Sequence, residues 1–344
     1  MKERNHVFDF LCGLCIIRMI SLHIMDFCGF GEERWWMHVM EWSFYFMSFF
    51  FFKAGYFNKG VTNSGTREYI IDRTKRILIP YISSGLIGMA IYFSFLPFLL
   101  DRYHKPIEPL AWEHIWQTSS FYGNRPTWFL FSFFITYIVV YYLEKVRWLH
   151  WMVILFPLIG YVLFLNGNPL WMSANNVFMG VFFFYLGMLW RQAMKRFSRR
   201  TILWASACML LMFIALNIIW HGEYTMSTNT FQGNFFATMM IMVLAICGLA
   251  GLLSCINLPR IPGICYIGEH SMVYFISHYP MLYYYKFMHL SFGRSIWNKP
   301  DDVLILIPVI FCLSTWMVPI VERVPWLSGR WKAPRSQDIK ITSI

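Results

Sequence analysis

One apolar stretch near the start of the chain carries the groups that acid–base chemistry needs. Residues 7–27 are mostly oily, yet they include Asp9, Arg18, His23 and Asp26. Ionisable side chains inside a membrane span are costly and mark either functional sites or buried polar contacts. His23 and Asp26 are three residues apart, hence neighbours on one face of a helix. At 1.5 Å per residue, His23 lies about 24 Å up that helix. Glu41, in the next apolar stretch, comes to a similar depth if the chain turns back. A carboxylate from either residue would fix the imidazole tautomer and stabilise its protonated form, which a general base taking a proton from a hydroxyl requires. A plain polar contact between two helices fits the same spacing. Asp9 is read as a helix-start or ion-pair residue.

Other charged residues ask for an explanation of their own. Arg73 and Arg76 are three apart and just outside an apolar stretch, where basic residues also serve as topology signals or meet lipid headgroups. Lys53 and Lys286 fall within apolar stretches, and Lys286 is placed to snorkel outward. His278 precedes Tyr279-Pro280. A proline in a membrane helix frees backbone groups, so His278 is read either as a polar contact between helices or as a residue near a substrate. Cys12 and Cys15 have the C-x-x-C spacing of redox sites, but they sit in an apolar helix without βαβ context and are read as core thiols. The ten histidines show neither H-x-x-x-H nor clustered Cys/His spacing, so no metal site is expected.

The elements that position these residues follow from composition. The chain of 344 residues is 58% hydrophobic and 14% charged, with a mean hydropathy of +0.48, which points to lipid as its solvent. Apolar runs long enough to cross ~30 Å of hydrocarbon recur from end to end. They fall near 7–27, 36–57, 77–99, 127–143, 148–165, 176–190, 201–220, 235–256, 271–290 and 303–321. The expectation is an all-α integral membrane protein, a bundle of about ten transmembrane helices forming a single polytopic domain over 1–344. The first span is too long and too charged for a cleaved signal peptide and is expected to be retained. Taking alternate loops, one side holds twenty basic residues and the other six. The positive-inside rule puts both termini in the cytoplasm of a multi-pass cell-membrane protein. The net charge of +11 is thereby accounted for by topology and membrane lipid, with no nucleic-acid partner. The loop near 101–126, with His104, Trp112, His114, Trp116 and Tyr122, reads either as a sugar-stacking lid or as an interfacial aromatic belt.

Six segments in order now resemble one family. They are Phe8-Asp9-Phe10-Leu11-Cys12-Gly13 through His23, Phe52-Lys53-Ala54-Gly55-Tyr56-Phe57, and Arg73-Thr74-Lys75-Arg76 followed by Ile79-Pro80-Tyr81. The others are Trp128-Phe129-Leu130, Phe183-Phe184-Tyr185-Leu186-Gly187, and Gly268-Glu269-His270-Ser271 through His278-Tyr279-Pro280. Each is short and apolar, but together they run most of the chain and resemble the membrane acyltransferase-3 family. The resemblance implies transfer of an acyl group, commonly acetyl, from cytoplasmic acyl-CoA to a hydroxyl of a cell-surface or lipid-linked glycan. It implies a catalytic His23, beside which the spacing and depth described above would set Asp26 or Glu41. Arg73 and Arg76 would meet the CoA phosphates with forked donors.

One position departs from the family pattern. Eleven residues before the histidine the family carries Arg or Lys, and this chain has Cys12. Arg18 is rotated about 140° from His23 around an ideal helix and is no simple substitute. Lys53, at a similar depth on the next span, is the expected source of the missing charge. The rival reading is a transporter or flippase for a glycan or acyl substrate, since intramembrane charges also line permeation paths.

Overall fold

A computed structural model describes residues 6–28, 40–58, 60, 65–103, 112–167, 170–256, 258–291 and 301–331. The chain order is α1 (His6–Phe27), α2 (Phe46–Tyr56), α3 (Thr66–Arg73), a π-helical turn (Thr74–Leu78), α4 (Ile79–Tyr103) and α5 (Trp112–Thr118). Then come α6 (Trp128–Lys145), α7 (Phe156–Leu165), α8 (Asn175–Arg196) and α9 (Arg199–Trp220). A hairpin of β1 (Glu223–Thr225) and β2 (Thr230–Gln232) leads to α10 (Phe235–Cys255), α11 (Pro262–Glu269), α12 (Ser271–Ser291), α13 (Asp301–Arg323) and α14 (Pro325–Ser328).

The all-α reading holds, but the count of ten spans is not reached. Among the described residues seven helical segments are long and apolar enough to cross a membrane: His6–Phe27, Thr66–Ser94, Arg125–Lys145, Trp171–Arg196, Arg199–Trp220, Phe235–Cys255 and Val303–Arg323. The expected second span is represented by α2, only 11 residues long, because turns interrupt the chain at 43–45. Residues 36–39 of that expected span lie outside the described ones. The expected span at 148–165 is a 3₁₀ segment, Arg147–Leu155, followed by the 10-residue α7. The expected span at 271–290 corresponds to α12, whose side chains beyond 285 lie outside the description.

Local sequence explains the helix ends. Ser198 caps α9 by accepting from the Thr201 amide, and Asn234 caps α10 by accepting from Ala237. The interior is mostly aromatic and aliphatic, with Phe8, Ile20, Phe51, Phe52, Phe183 and Ile246 all buried. Exposed faces are oily too: on α9, Leu211, Ile218 and Ile219 stand out from the bundle. With lipid outside, helices gain little by burying leucine and associate instead through close packing at small residues. Gly55 of α2 lies against Phe184 of α8, and Gly187 of α8 lies against Phe52 of α2; a Cβ on either would overlap a facing carbonyl oxygen. Gly13 of α1 and Ile264 of α11 meet the same way, as do Gly268 and Asp9. These glycines belong to the segments that carried the family resemblance.

The basic residues of alternate connections knit one end of the bundle. Arg191 donates to the Asn58 carbonyl at 2.5 Å, and Asn58 Nδ2 donates to Glu144 Oε1 at 3.0 Å. Lys145 Nζ donates to Thr66 Oγ1 at 2.8 Å, and Arg199 Nε to the Cys255 carbonyl at 2.9 Å. The Arg199 contact also places a cation on the negative end of the α10 dipole.

Candidate functional site

At this basic end the bundle encloses a cavity of about 870 Å³. Its charged wall is built on an irregularity. The helix that begins at Thr66 is underwound for one π turn at Thr74–Leu78, a distortion that recurs at functional sites. Arg73 precedes the π turn and Arg76 lies within it, and both line the cavity together with Lys53 of α2. The Arg73 guanidinium lies over the rings of Tyr69 and Tyr137, at 5.0 and 4.3 Å, and its Nε is buried without a hydrogen-bond partner among the described residues. Arg76 Nε donates to Asp72 Oδ1 at 2.7 Å, which holds the guanidinium from behind. Lys53 Nζ donates to Cys12 Sγ at 3.0 Å. The three cations expected at the donor end thus share one cavity, and Lys53 sits against the position where the family pattern carries a charge.

The opposite wall of the cavity is aromatic. Phe129, Phe133 and Phe275 line it, and Ile16 represents α1. Beyond Phe275 lies the imidazole pair. The Phe275 and His278 rings are 6.3 Å apart, and His278 stacks on His23 with centroids 5.4 Å apart and planes 25° off parallel. Tyr279 meets His23 edge-on at 5.3 Å. His278 is wholly buried. Its Nδ1 lies 3.0 Å from the Tyr274 carbonyl, which can only accept, so the proton is on Nδ1. In the neutral ring Nε2 is then the acceptor, and it is buried with no hydrogen-bond partner among the described residues.

Pro280 helps to set this arrangement. It has no amide proton, so the Ile276 carbonyl one turn earlier loses its helical partner. Asn124 Nδ2 supplies the missing bond at 3.1 Å and also lies 3.3 Å from the Ser84 carbonyl. A side chain from the segment before α6 thereby locks the turn of α12 that carries His278.

Asp26 and Glu41, the carboxylates expected beside His23, are both exposed, and the rings that meet His23 are those of His278 and Tyr279. Arg18 has a separate role. Its Nη2 donates to the Met40 carbonyl at 2.8 Å and its Nε to Ser43 Oγ at 3.2 Å, with the guanidinium 3.9 Å from the Phe46 ring centre. It satisfies the backbone of the turn that breaks the expected second span, and irregular backbone at membrane depth needs such a partner. None of the eight cysteines, all among the described residues, forms a disulfide, Cys12 and Cys15 included.

Sequence reasoning missed Tyr69, Tyr137, Asn124 and Arg330 of the cavity and its surroundings. Tyr69 had a signal in its i,i+4 spacing to Arg73, and Pro280 announced a carbonyl in need of a donor. Away from both centres, His6, Asp9 and Glu269 bring ligand atoms within 4.8 Å of one another, an arrangement able to take a cation, although Arg260 already holds Glu269 at 3.0 Å.

Oily outer faces around a charged cavity and a stacked imidazole pair define a helical membrane protein with polar groups gathered inside the bundle. Residues 5–318 match the model of the acyltransferase-3 family, described as an acyltransferase domain, and the chain belongs to that family. It is a membrane acyltransferase. No curated protein and no solved structure matches it.

Proposed function

We propose that this enzyme takes an acyl group, in the first instance acetyl, from acyl-CoA and esterifies a hydroxyl of a cell-surface or lipid-linked glycan. The observation that carries the reading is the single cavity that Lys53, Arg73 and Arg76 share, with its aromatic wall one residue layer from the His23–His278 pair. The basic end faces the cytoplasm, by the excess of Lys and Arg on that side, and the chain is a multi-pass protein of the cell membrane. Phosphates of the donor meet Arg73 and Arg76, for which a planar five-donor fork is the suited group. Lys53 supplies the further positive charge in place of a residue at position 12. The pantetheine arm runs past Phe133, Phe129 and Phe275 toward His23.

At the imidazole pair the acceptor hydroxyl gives its proton to a ring nitrogen as its oxygen bonds to the acyl carbon. The thioester C–S bond breaks, and the leaving thiolate is protonated to free CoA. Positioned bases of this kind contribute roughly 10²–10⁴-fold in rate. Transient carriage of the acyl group on His23 gives the same balance in two steps. Asp26 and Glu41, both exposed near the His23 end of α1, are assigned to the acceptor side. Trp116, packed edge-on to Trp171 at 4.1 Å, and the exposed Trp112 offer ring faces to a sugar.

Purified protein given labelled acetyl-CoA should pass label to envelope glycan, and a His23→Ala strain should make glycan lacking that ester by mass spectrometry. Consumption of no acetyl-CoA by the wild-type protein, together with a fully acylated glycan in the His23→Ala strain, would overturn the proposal.

A further inference from the structure

Beyond α13 the chain folds back over the cavity. The α14 turn ends at Gly329, whose φ of +67° is the left-handed conformation that suits glycine at a helix end. A Cβ there would also lie 2.3 Å from the Arg76 carbonyl, so only a bare backbone fits this close to the π turn. Trp331 Nε1 then donates to the Lys75 carbonyl at 2.8 Å. Ser328, Gly329 and Arg330 form part of the cavity lining as a result. The strap thus brings a fourth cation to the cavity that Lys53, Arg73 and Arg76 already line.

Arg330 is held from behind in the same manner as Arg76. Its Nη1 lies 2.5 Å from Glu322 Oε1, on the last turn of α13, and that oxygen also meets His270 Nδ1. His270 caps α11 and packs against the Tyr266 ring, with centroids 4.4 Å apart. A carboxylate gripped by an imidazole and by one nitrogen of a guanidinium fixes the direction of that guanidinium and leaves its other donors for a ligand. Glu68 and Asp72 are the acidic residues of the cavity wall, and Asp72 is engaged by Arg76. A ligand with several phosphates is the natural occupant of such a ring of forked donors.

We propose that Arg330, aimed by the His270–Glu322 pair, is a third guanidinium for the donor's phosphate groups, and that the strap after α13 is a wall of the donor site. This rests on the acyl-CoA reading above. It gives the Gly268-Glu269-His270-Ser271 segment a purpose: His270 is a positioning residue that acts on the donor through Glu322 and Arg330. Donors already aimed before binding lose less freedom when the ligand arrives.

Two donors with the same thioester test it: acetyl-CoA, and S-acetylpantetheine, which has no phosphate. Arg330→Gln should raise KM for acetyl-CoA roughly tenfold with kcat little changed, the scale of one lost charge-assisted hydrogen bond, and leave S-acetylpantetheine kinetics as in the wild type. Arg330→Lys should recover part of the loss, and Glu322→Gln and His270→Gln should show a smaller rise confined to acetyl-CoA. Equal rises for both donors, or none, overturn the proposal while the acyl-transfer reading stands. If the wild-type protein transfers from neither donor, that reading fails, and calorimetry with CoA then decides: weaker binding to Arg330→Gln keeps the phosphate contact, and equal binding or none removes it.

Discussion

At the scale of single residues, Arg18 and Lys53, two cations within the apolar stretches, have different uses. Arg18 stabilises a broken helix, whereas Lys53 faces the cavity and touches Cys12. If Lys53 supplies the charge that the family places at position 12, Lys53→Met should lower transfer from acetyl-CoA about tenfold or more, the scale of a charge-assisted contact. Lys53→Met with Cys12→Arg should then regain activity, and Cys12→Arg alone should do worse than wild type because it sets two cations side by side. Initial rates on purified protein check all three, and a double variant no better than Lys53→Met rejects the substitution of one charge by the other. His278 admits an equally sharp separation. Asparagine reproduces an imidazole's Nδ1 donor and glutamine its Nε2 position. A purely structural His278 needs only the bond to the Tyr274 carbonyl, so His278→Asn would keep activity. If the unpartnered Nε2 serves the reaction, His278→Gln should retain more transfer than His278→Asn, with both folding alike by size-exclusion profile. The charge exceptions made Lys53, Arg73 and Arg76 legible in the sequence. The partner of His23 was not, because a stacking imidazole from a distant helix leaves no local spacing to read, whereas nearby carboxylates such as Asp26 and Glu41 do.

At the scale of elements, the short family-like segments are mostly packing devices. Gly13, Gly55, Gly187 and Gly268 each let one helix backbone approach another, and His23 and Lys53 lie along two of the helices so joined. A methyl group at Gly187 would lie 2.0 Å from the Phe52 carbonyl oxygen, with backbone on both sides. Gly187→Ala should therefore destabilise the protein by about 1–3 kcal/mol, as overpacking does, seen as a lower melting temperature in detergent. Gly263, at the start of α11, has no neighbour within 4 Å of its added Cβ, and Gly263→Ala should leave the melting temperature unchanged. Helix propensity favours alanine at both positions, so a loss at Gly263 as large as that at Gly187 would mean that something other than contact with facing backbone sets these glycines. The π turn illustrates what a sequence pattern leaves out. Arg73 and Arg76 read as one helical face, but with the underwound π turn starting after Arg73, Arg73 lies over two tyrosine rings and Arg76 lies against Asp72.

At the scale of the whole molecule, hydropathy revealed the helical membrane character because oily residues lie both inside the bundle and on its surface, where lipid replaces water. It overcounted uninterrupted spans for the same reason. No run of polar residues marks the breaks at 43–45 and at Arg147–Leu155, and at the first of them Arg18 satisfies the Met40 carbonyl. The alternation of charge survives these breaks: Ser198, between the basic ends of α8 and α9, and Thr228, at the tip of the β1–β2 hairpin, sit at opposite ends of α9. Both side chains are exposed. With the native cysteines replaced by serine or alanine, a single cysteine at position 228 should react with a membrane-impermeant maleimide in intact cells, and one at 198 only after permeabilisation. The reverse pattern would put Arg73, Arg76 and Arg330 on the outer side, away from cytoplasmic CoA, and the donor assignment would fall with it. The labelling pattern thus tests the direction of acyl transfer without measuring transfer at all.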